Sequence, residues 1–120
     1  MTLERLPRVL LRLEGAAIAI AALALYAHAD YSWLLLALLV LAPDLSAIGY
    51  VAGPRVGTLT YNAAHTTVTP IILGAIGVIL PSETATAVAL IWLIHIGVDR
   101  AVGYGLKYPS AFKDTHLNRV

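Results

Sequence analysis

The chain has 120 residues, 59% of them hydrophobic, with eight Lys and Arg against seven Asp and Glu and no cysteine; mean hydropathy is +0.80. This leaves room for one domain, excludes disulfides and thiolate metal sites, and restricts any metal to imidazole and carboxylate ligands. The cations form no stripe interleaved with aromatics, so nucleic acid is not an expected partner.

Four apolar segments, 8–28, 32–52, 57–80 and 84–103, each approach the ~20 residues that cross a hydrocarbon core of ~30 Å. The expected fold is all-α, a polytopic four-helix membrane bundle in a single domain, with a tail over 104–120. The N-terminal stub, the Gly53–Gly57 turn and the tail, with the ends of the segments that adjoin them, hold every Lys and Arg, whereas the turns near Ala29–Tyr31 and Pro81–Glu83 hold none. The positive-inside rule then predicts N-in/C-in, with lipids as partners and a homo-oligomer compatible with the pattern. Arg5, Arg8 and Arg12 before an apolar run ending in Ala27-His28-Ala29 also match a cleaved signal peptide. Glu14 at the start of the run, and a short turn leading directly into segment two, favour an uncleaved helical hairpin.

In segment one, Gly15, Ala16, Ala17, Ala19, Ala21 and Ala22 offer a smooth packing face. Pro43 in segment two removes a donor from the carbonyl of Leu39 and opens the backbone around Asp44. Pro70 has a similar effect in segment three, whose first turns are polar. Segment four begins after Ser82, a candidate N-cap, and stops at Gly103-Tyr104-Gly105. His28 sits among outer-interface residues, Trp92 reads as packing, and Arg100 could neutralise Asp99 or reach the headgroups. His116 reads as a solvated tail residue unless the tail folds back toward the spans.

Ionisable residues at membrane depth are costly and mark function. There are five: Glu14, Asp44, His65, His95 and Asp99, with Asn62 as an uncharged companion. At 1.5 Å per residue from the predicted cytoplasmic ends, Glu14, Asp44, His65 and His95 all lie at about 10–14 Å, and Asp99 at about 6 Å. Asn62 with His65, and His95 with Asp99, each share a helix face. Asp44, His65 and His95, with Asp99 as a fourth ligand or as the acceptor orienting His95, suit a divalent transition ion such as zinc, manganese or iron. Glu14 would be a ligand or the general base. The same residues could instead be a hydrogen-bonded lock between helices, or line a proton or ion path.

Leu41-Ala-Pro-Asp-Leu-Ser with Gly49-Tyr50, Ala52-Gly-Pro-Arg-Val-Gly, Tyr61-Asn62 with His65, Ile91-Trp-Leu-Ile-His-Ile-Gly-Val-Asp-Arg, Gly103-Tyr-Gly-Leu-Lys-Tyr-Pro and Phe112-Lys-Asp-Thr-His-Leu together resemble the bacterial membrane family catalogued as domain of unknown function 4260. That resemblance implies a bacterial inner-membrane protein and leaves its activity open. More loosely, Pro-Asp late in one span, a histidine early in the next and His-x-x-x-Asp on a later one are similar to inner-membrane metal-dependent hydrolases. This second resemblance implies metal ligands at Asp44, His65, His95 and Asp99, although the chain lacks the His-Arg-x-x-Thr-His run of those proteins.

Two function classes follow. One is a membrane metal-dependent hydrolase of a lipid-like substrate, with Glu14 or Asp99 accepting a proton from water. The other is a small carrier subunit for protons or metal ions. The outer halves of the segments are nearly all apolar, which argues against a continuous conduit in a monomer.

Overall fold

A computed structural model describes residues 2–120. The chain is helical through most of its length: α1 is Leu6–His28, α2 Trp33–Leu39, then a 3-10 helix Ala42–Ala52, α3 Pro54–His65, α4 Val68–Ile79 and α5 Glu83–Val102. A short hairpin, β1 Lys107–Tyr108 and β2 Ala111–Thr115, and a last turn α6 His116–Arg119 complete it. Leu3–His28, Trp33–Ala52 and Glu83–Val102 are long and apolar enough to cross a membrane, and α3 with α4 adds a fourth crossing if that pair, bent by 44°, is one span.

Segment two changes from α to 3-10 geometry around its proline, and segment three is broken at Thr66–Thr67, just ahead of Pro70. Pro43 cannot donate a backbone bond, and the chain tightens: Asp44 N–H donates to Leu41 O at 3.1 Å, a 3-10 bond in place of the α-helical one to Val40. An eleven-residue 3-10 run is unusually long. With three residues per turn, Asp44, Ala47 and Tyr50 fall on one face. In segment three, Pro70 excludes an α-helical carbonyl acceptor at Thr66, whose backbone turns extended (ψ 144°). The exposed end of α3 is closed by side chains: Thr69 Oγ1 donates to Ala63 O (2.7 Å), Trp92 Nε1 to Ala64 O (2.6 Å) and Arg100 to His65 O (3.0 Å). A helix end leaves its last carbonyls without intrahelical donors, and these three bonds supply the missing donors.

α5 is the central element and carries more buried residues than any other, among them Ile91, Ile94, His95 and Ile96. It is capped as its sequence predicts, by Ser82 Oγ accepting from Ala85 N–H (3.2 Å) and by Gly103 in the left-handed region (φ 102°). α1 lies against it through the small-residue face. A Cβ added at Gly97 would come within 2.6 Å of Gly15 O and 2.7 Å of Ala19 N, so the two backbones touch. At the turn end, Tyr26 is fully buried among Ala87 and Ile91, with its hydroxyl donating to Ser32 O. Outward-facing Leu38, Leu45, Ile48, Ile76 and Ile79 remain exposed.

The tail departs from the solvated segment expected of it. Asn62 fastens β1 by both ends of its amide, Nδ2–H donating to Lys107 O (2.9 Å) and Oδ1 accepting from Lys107 N–H (2.6 Å). Arg8 donates to Val120 O (3.0 Å) and Arg12 to Ala101 O (2.8 Å), so the N-terminal stub and the tail share one end of the molecule. Asp114 is bridged by Arg119 at 2.6 Å and accepts from the Ser110 hydroxyl, which together hold its carboxyl down to about 2.

Candidate metal centre

The two helix breaks and α5 meet at one point. His65 is the last residue of α3, Asp44 lies on the 3-10 helix just past Pro43, and His95 and Asp99 share a face of α5 one turn apart. One ligand atom from each lies within 4.8 Å of every other. His65 Nε2 is 3.1 Å from Asp44 Oδ1 and 3.5 Å from Asp99 Oδ2. His95 Nε2 is 3.1 and 3.2 Å from the same two atoms, and the two imidazole nitrogens are 3.2 Å apart. Both histidines are buried, Asp99 partly so, and the Asp44 side chain is 52% exposed.

The tautomers follow from the backbone. His65 Nδ1 faces Tyr61 O at 2.8 Å and His95 Nδ1 faces Val40 O at 2.6 Å. A carbonyl only accepts, so each Nδ1 carries a proton, and a ring that is neutral then turns a bare Nε2 lone pair inward. Val40 O is free to accept because the 3-10 helix withdrew its α-helical donor. With both rings neutral, two imidazole lone pairs and two carboxylate oxygens converge without a donor between them, an arrangement that calls for a cation. A tetrahedron with bonds of about 2.0–2.1 Å has six edges of about 3.3–3.4 Å; the five that involve a histidine run from 3.1 to 3.5 Å, while the sixth, between the two aspartates, is bounded only by the 4.8 Å span of the whole set. The residues fit a transition ion in donor type and orientation, with the carbonyl bonds to both Nδ1 atoms serving as the outer supports such ligands need. Tyr61 stacks on His65 with ring centres 3.7 Å apart.

Of the residues read from the sequence as site members, Asp44, His65, His95 and Asp99 come together. Glu14 does not: it is exposed on α1, neighbouring the Gly15 face that α5 covers, and makes no hydrogen bond or ion pair among the described residues. Its expected role as ligand or base at this cluster is corrected accordingly. Asn62 ties down the tail, and Arg100 and Trp92 support the end of α3. His116 does come back with the tail, but its Nδ1 accepts from Leu106 N–H (2.8 Å), and burial and the charge of Arg100 push its pKa down. His28 is exposed at the far end.

The centre opens onto a cavity of about 570 Å³ whose wall includes Asp44, Asp99, Tyr61, Lys107, Lys113 and Thr115. Lys107 was not singled out by its sequence position. It is 8% exposed, has no carboxylate or hydrogen-bond acceptor among the described residues, and rests its ammonium over the Phe112 ring at 3.7 Å. Burial pushes its pKa down, and the charge of Asp99 opposes that shift.

Residues 8–120 match the family model described as a domain of unknown function (DUF4260). No curated protein and no solved structure matches the chain. With nearly its whole length covered by that model, the chain belongs to the DUF4260 family.

Proposed function

We propose that this chain is a four-span protein of the bacterial inner membrane, both termini cytoplasmic, which binds one divalent transition ion and hydrolyses an ester or phosphoester bond of a lipid-like substrate. The carrying observation is the set of two imidazole nitrogens and two carboxylate oxygens, from three separate elements, within 4.8 Å of one another. Orientation is supported by the one-sided cations and by Arg8 and Arg12 holding the tail and the end of α5. The exposed Leu and Ile side chains along the spans would face acyl chains, or a second copy of the chain.

His65, His95 and Asp99 would be the fixed ligands, because burial and the bonds to Tyr61 O and Val40 O hold the imidazoles in place. When bound, the ion supplies Lewis acidity that lowers the pKa of a coordinated water and polarises the substrate oxygen. Asp44, the most exposed of the four, is the ligand able to withdraw toward the cavity and accept the attacking water's proton. The water oxygen joins the acyl or phosphoryl group, the ester C–O or P–O bond breaks, and Asp44 returns the proton to the departing alcohol.

Elemental analysis of detergent-purified protein tests the centre. About one zinc, manganese or iron per chain is expected, lost in a His65→Ala, His95→Ala double variant. Metal-free wild type after incubation with each ion would refute it. Metal uptake without cleavage of any ester or phosphoester lipid would refute hydrolysis and favour metal handling.

A further inference from the structure

The cavity beside the centre holds a second, oppositely charged feature that the metal ligands do not explain. Lys107 is more than nine-tenths buried, carries no counter-ion among the described residues, and lines the same space as Asp44 and Asp99. Its stem is buried while the ammonium, resting on the Phe112 and Tyr61 rings, keeps an opening to the cavity and has no acceptor among the described residues, so its hydrogen-bonding capacity is available to a ligand there. The Thr115 hydroxyl on the same wall is also buried without a hydrogen-bond partner. Lys113 lies at the more exposed side of this cavity.

Formal charge points the same way. The two aspartates balance a divalent ion, so Lys107 and Lys113 leave the loaded cavity with two positive charges. Two ammonium groups, a hydroxyl donor and a metal around one space match a group with three or more acceptor oxygens better than a carboxylate with two. The positive groups come from the β-hairpin, which Asn62 locks to α3 three residues before His65, so the anion site and the metal site are built on one support.

Resting on the metal-centre reading, we propose that the cavity binds the phosphate group of its substrate between the metal centre and Lys107. One phosphate oxygen faces the ion, and another accepts from the Lys107 ammonium, with Thr115 as a further donor. A phosphorylated lipid headgroup and a free phosphate compound share this chemistry.

Zinc-loaded full-length protein in detergent should be titrated with dihexanoyl phosphatidic acid, dihexanoylglycerol, hexanoate and inorganic phosphate, reading the melting temperature and calorimetric affinity. Phosphatidic acid should bind, and Lys107→Met should weaken it about tenfold or more while zinc uptake stays unchanged. Inorganic phosphate binding equally well would support the phosphate site and identify a soluble source, whereas preference for phosphatidic acid would support a lipid source. Equal response to dihexanoylglycerol or hexanoate, or undiminished binding in Lys107→Met, would overturn the proposal. Should Lys107→Met fail to fold, Lys113→Met on the exposed side must still weaken phosphatidic acid binding about threefold, and an unchanged affinity there would overturn it. Protein that takes up zinc but ignores phosphatidic acid and phosphate refutes the phosphate site alone. Protein that takes up no zinc removes the basis of both readings.

Discussion

Replacing Asp44 by Asn separates a metal centre from a hydrogen-bonded lock by the sign of its effect. In metal-free protein with neutral imidazoles, the Asp44 and Asp99 carboxylates sit at most 4.8 Å apart by their ligand oxygens. Two like charges at that distance repel by about 3.5 kcal/mol at an effective dielectric of ~20. Since the Asp44 side chain is half exposed, solvent screening reduces this to about 1–2 kcal/mol. Asp44→Asn removes that repulsion and supplies an N–H for a histidine Nε2, so the metal-free variant should be more stable than wild type by about that amount, about 4–8 °C in melting temperature. With zinc at a hundredfold excess over Kd, wild type should gain about 2.7 kcal/mol and the variant distinctly less, reversing the order. Intrinsic tryptophan fluorescence is a suitable readout because Trp92 is bonded to the residue before His65. A lock of protonated imidazoles paired to carboxylates predicts the opposite: Asp44→Asn destabilises, and neither chelator nor zinc shifts the melting curve. That pattern would refute the metal reading, as would a zinc response that survives loss of both histidines.

Because both imidazoles must be neutral to bind an ion, zinc affinity should fall with acidification by up to about a hundredfold per pH unit once both titrate, measured with a competing chelator. Trp92→Phe or Arg100→Met leaves one carbonyl at the end of α3 without its donor and should cost about 1–3 kcal/mol, with faster amide exchange around His65 and weaker zinc binding. His116 is held neutral by Leu106 N–H and has a folded pKa below its ordinary 6.5, so its contribution to tail stability is full above 6.5 and is lost as pH falls through the folded value; His116→Gln should flatten that dependence in tail amide exchange. Cysteine introduced at Asp30 or Glu83 should be labelled from outside intact cells, and at Arg55 or Lys113 should not. Labelling at Arg55 would overturn the orientation.

Much of the centre was legible because two sequence signals bear on it independently. Membrane depth grouped Asp44, His65 and His95, and helical spacing put Asp99 beside His95. The prolines also marked the breaks correctly, though not their consequence: the carbonyl that matters is Val40 O, released by a switch to 3-10 geometry that no propensity at Ala42–Ala52 announces. The side-chain caps on α3 were hidden for a different reason. Trp92 and Arg100 lie 28 and 35 residues from the carbonyls they serve, and only the packed arrangement of α5 against the break brings them there. The tail hairpin depends likewise on Asn62, 45 residues from the strand it holds.

Glu14 shows where depth alone fails. Depth fixes one coordinate of a residue on a membrane helix, and the angle around the axis fixes another. On α1 that angle was available: Gly15, Ala19 and Ala22 fall at the i, i+4, i+7 spacing of a single face, and Gly97 on α5 permits backbone contact along it. Glu14 is one residue, hence about 100°, away from Gly15 around the helix. Had the small-residue face been used to orient α1 before its carboxylate was assigned, Glu14 would have been turned from the packed face and the site limited to elements whose backbone opens inward. The same angular reasoning favours Asp44, whose 3-10 neighbours Ala47 and Tyr50 face the cavity wall and α3. A carboxylate enters this centre only where both its depth and its angle agree.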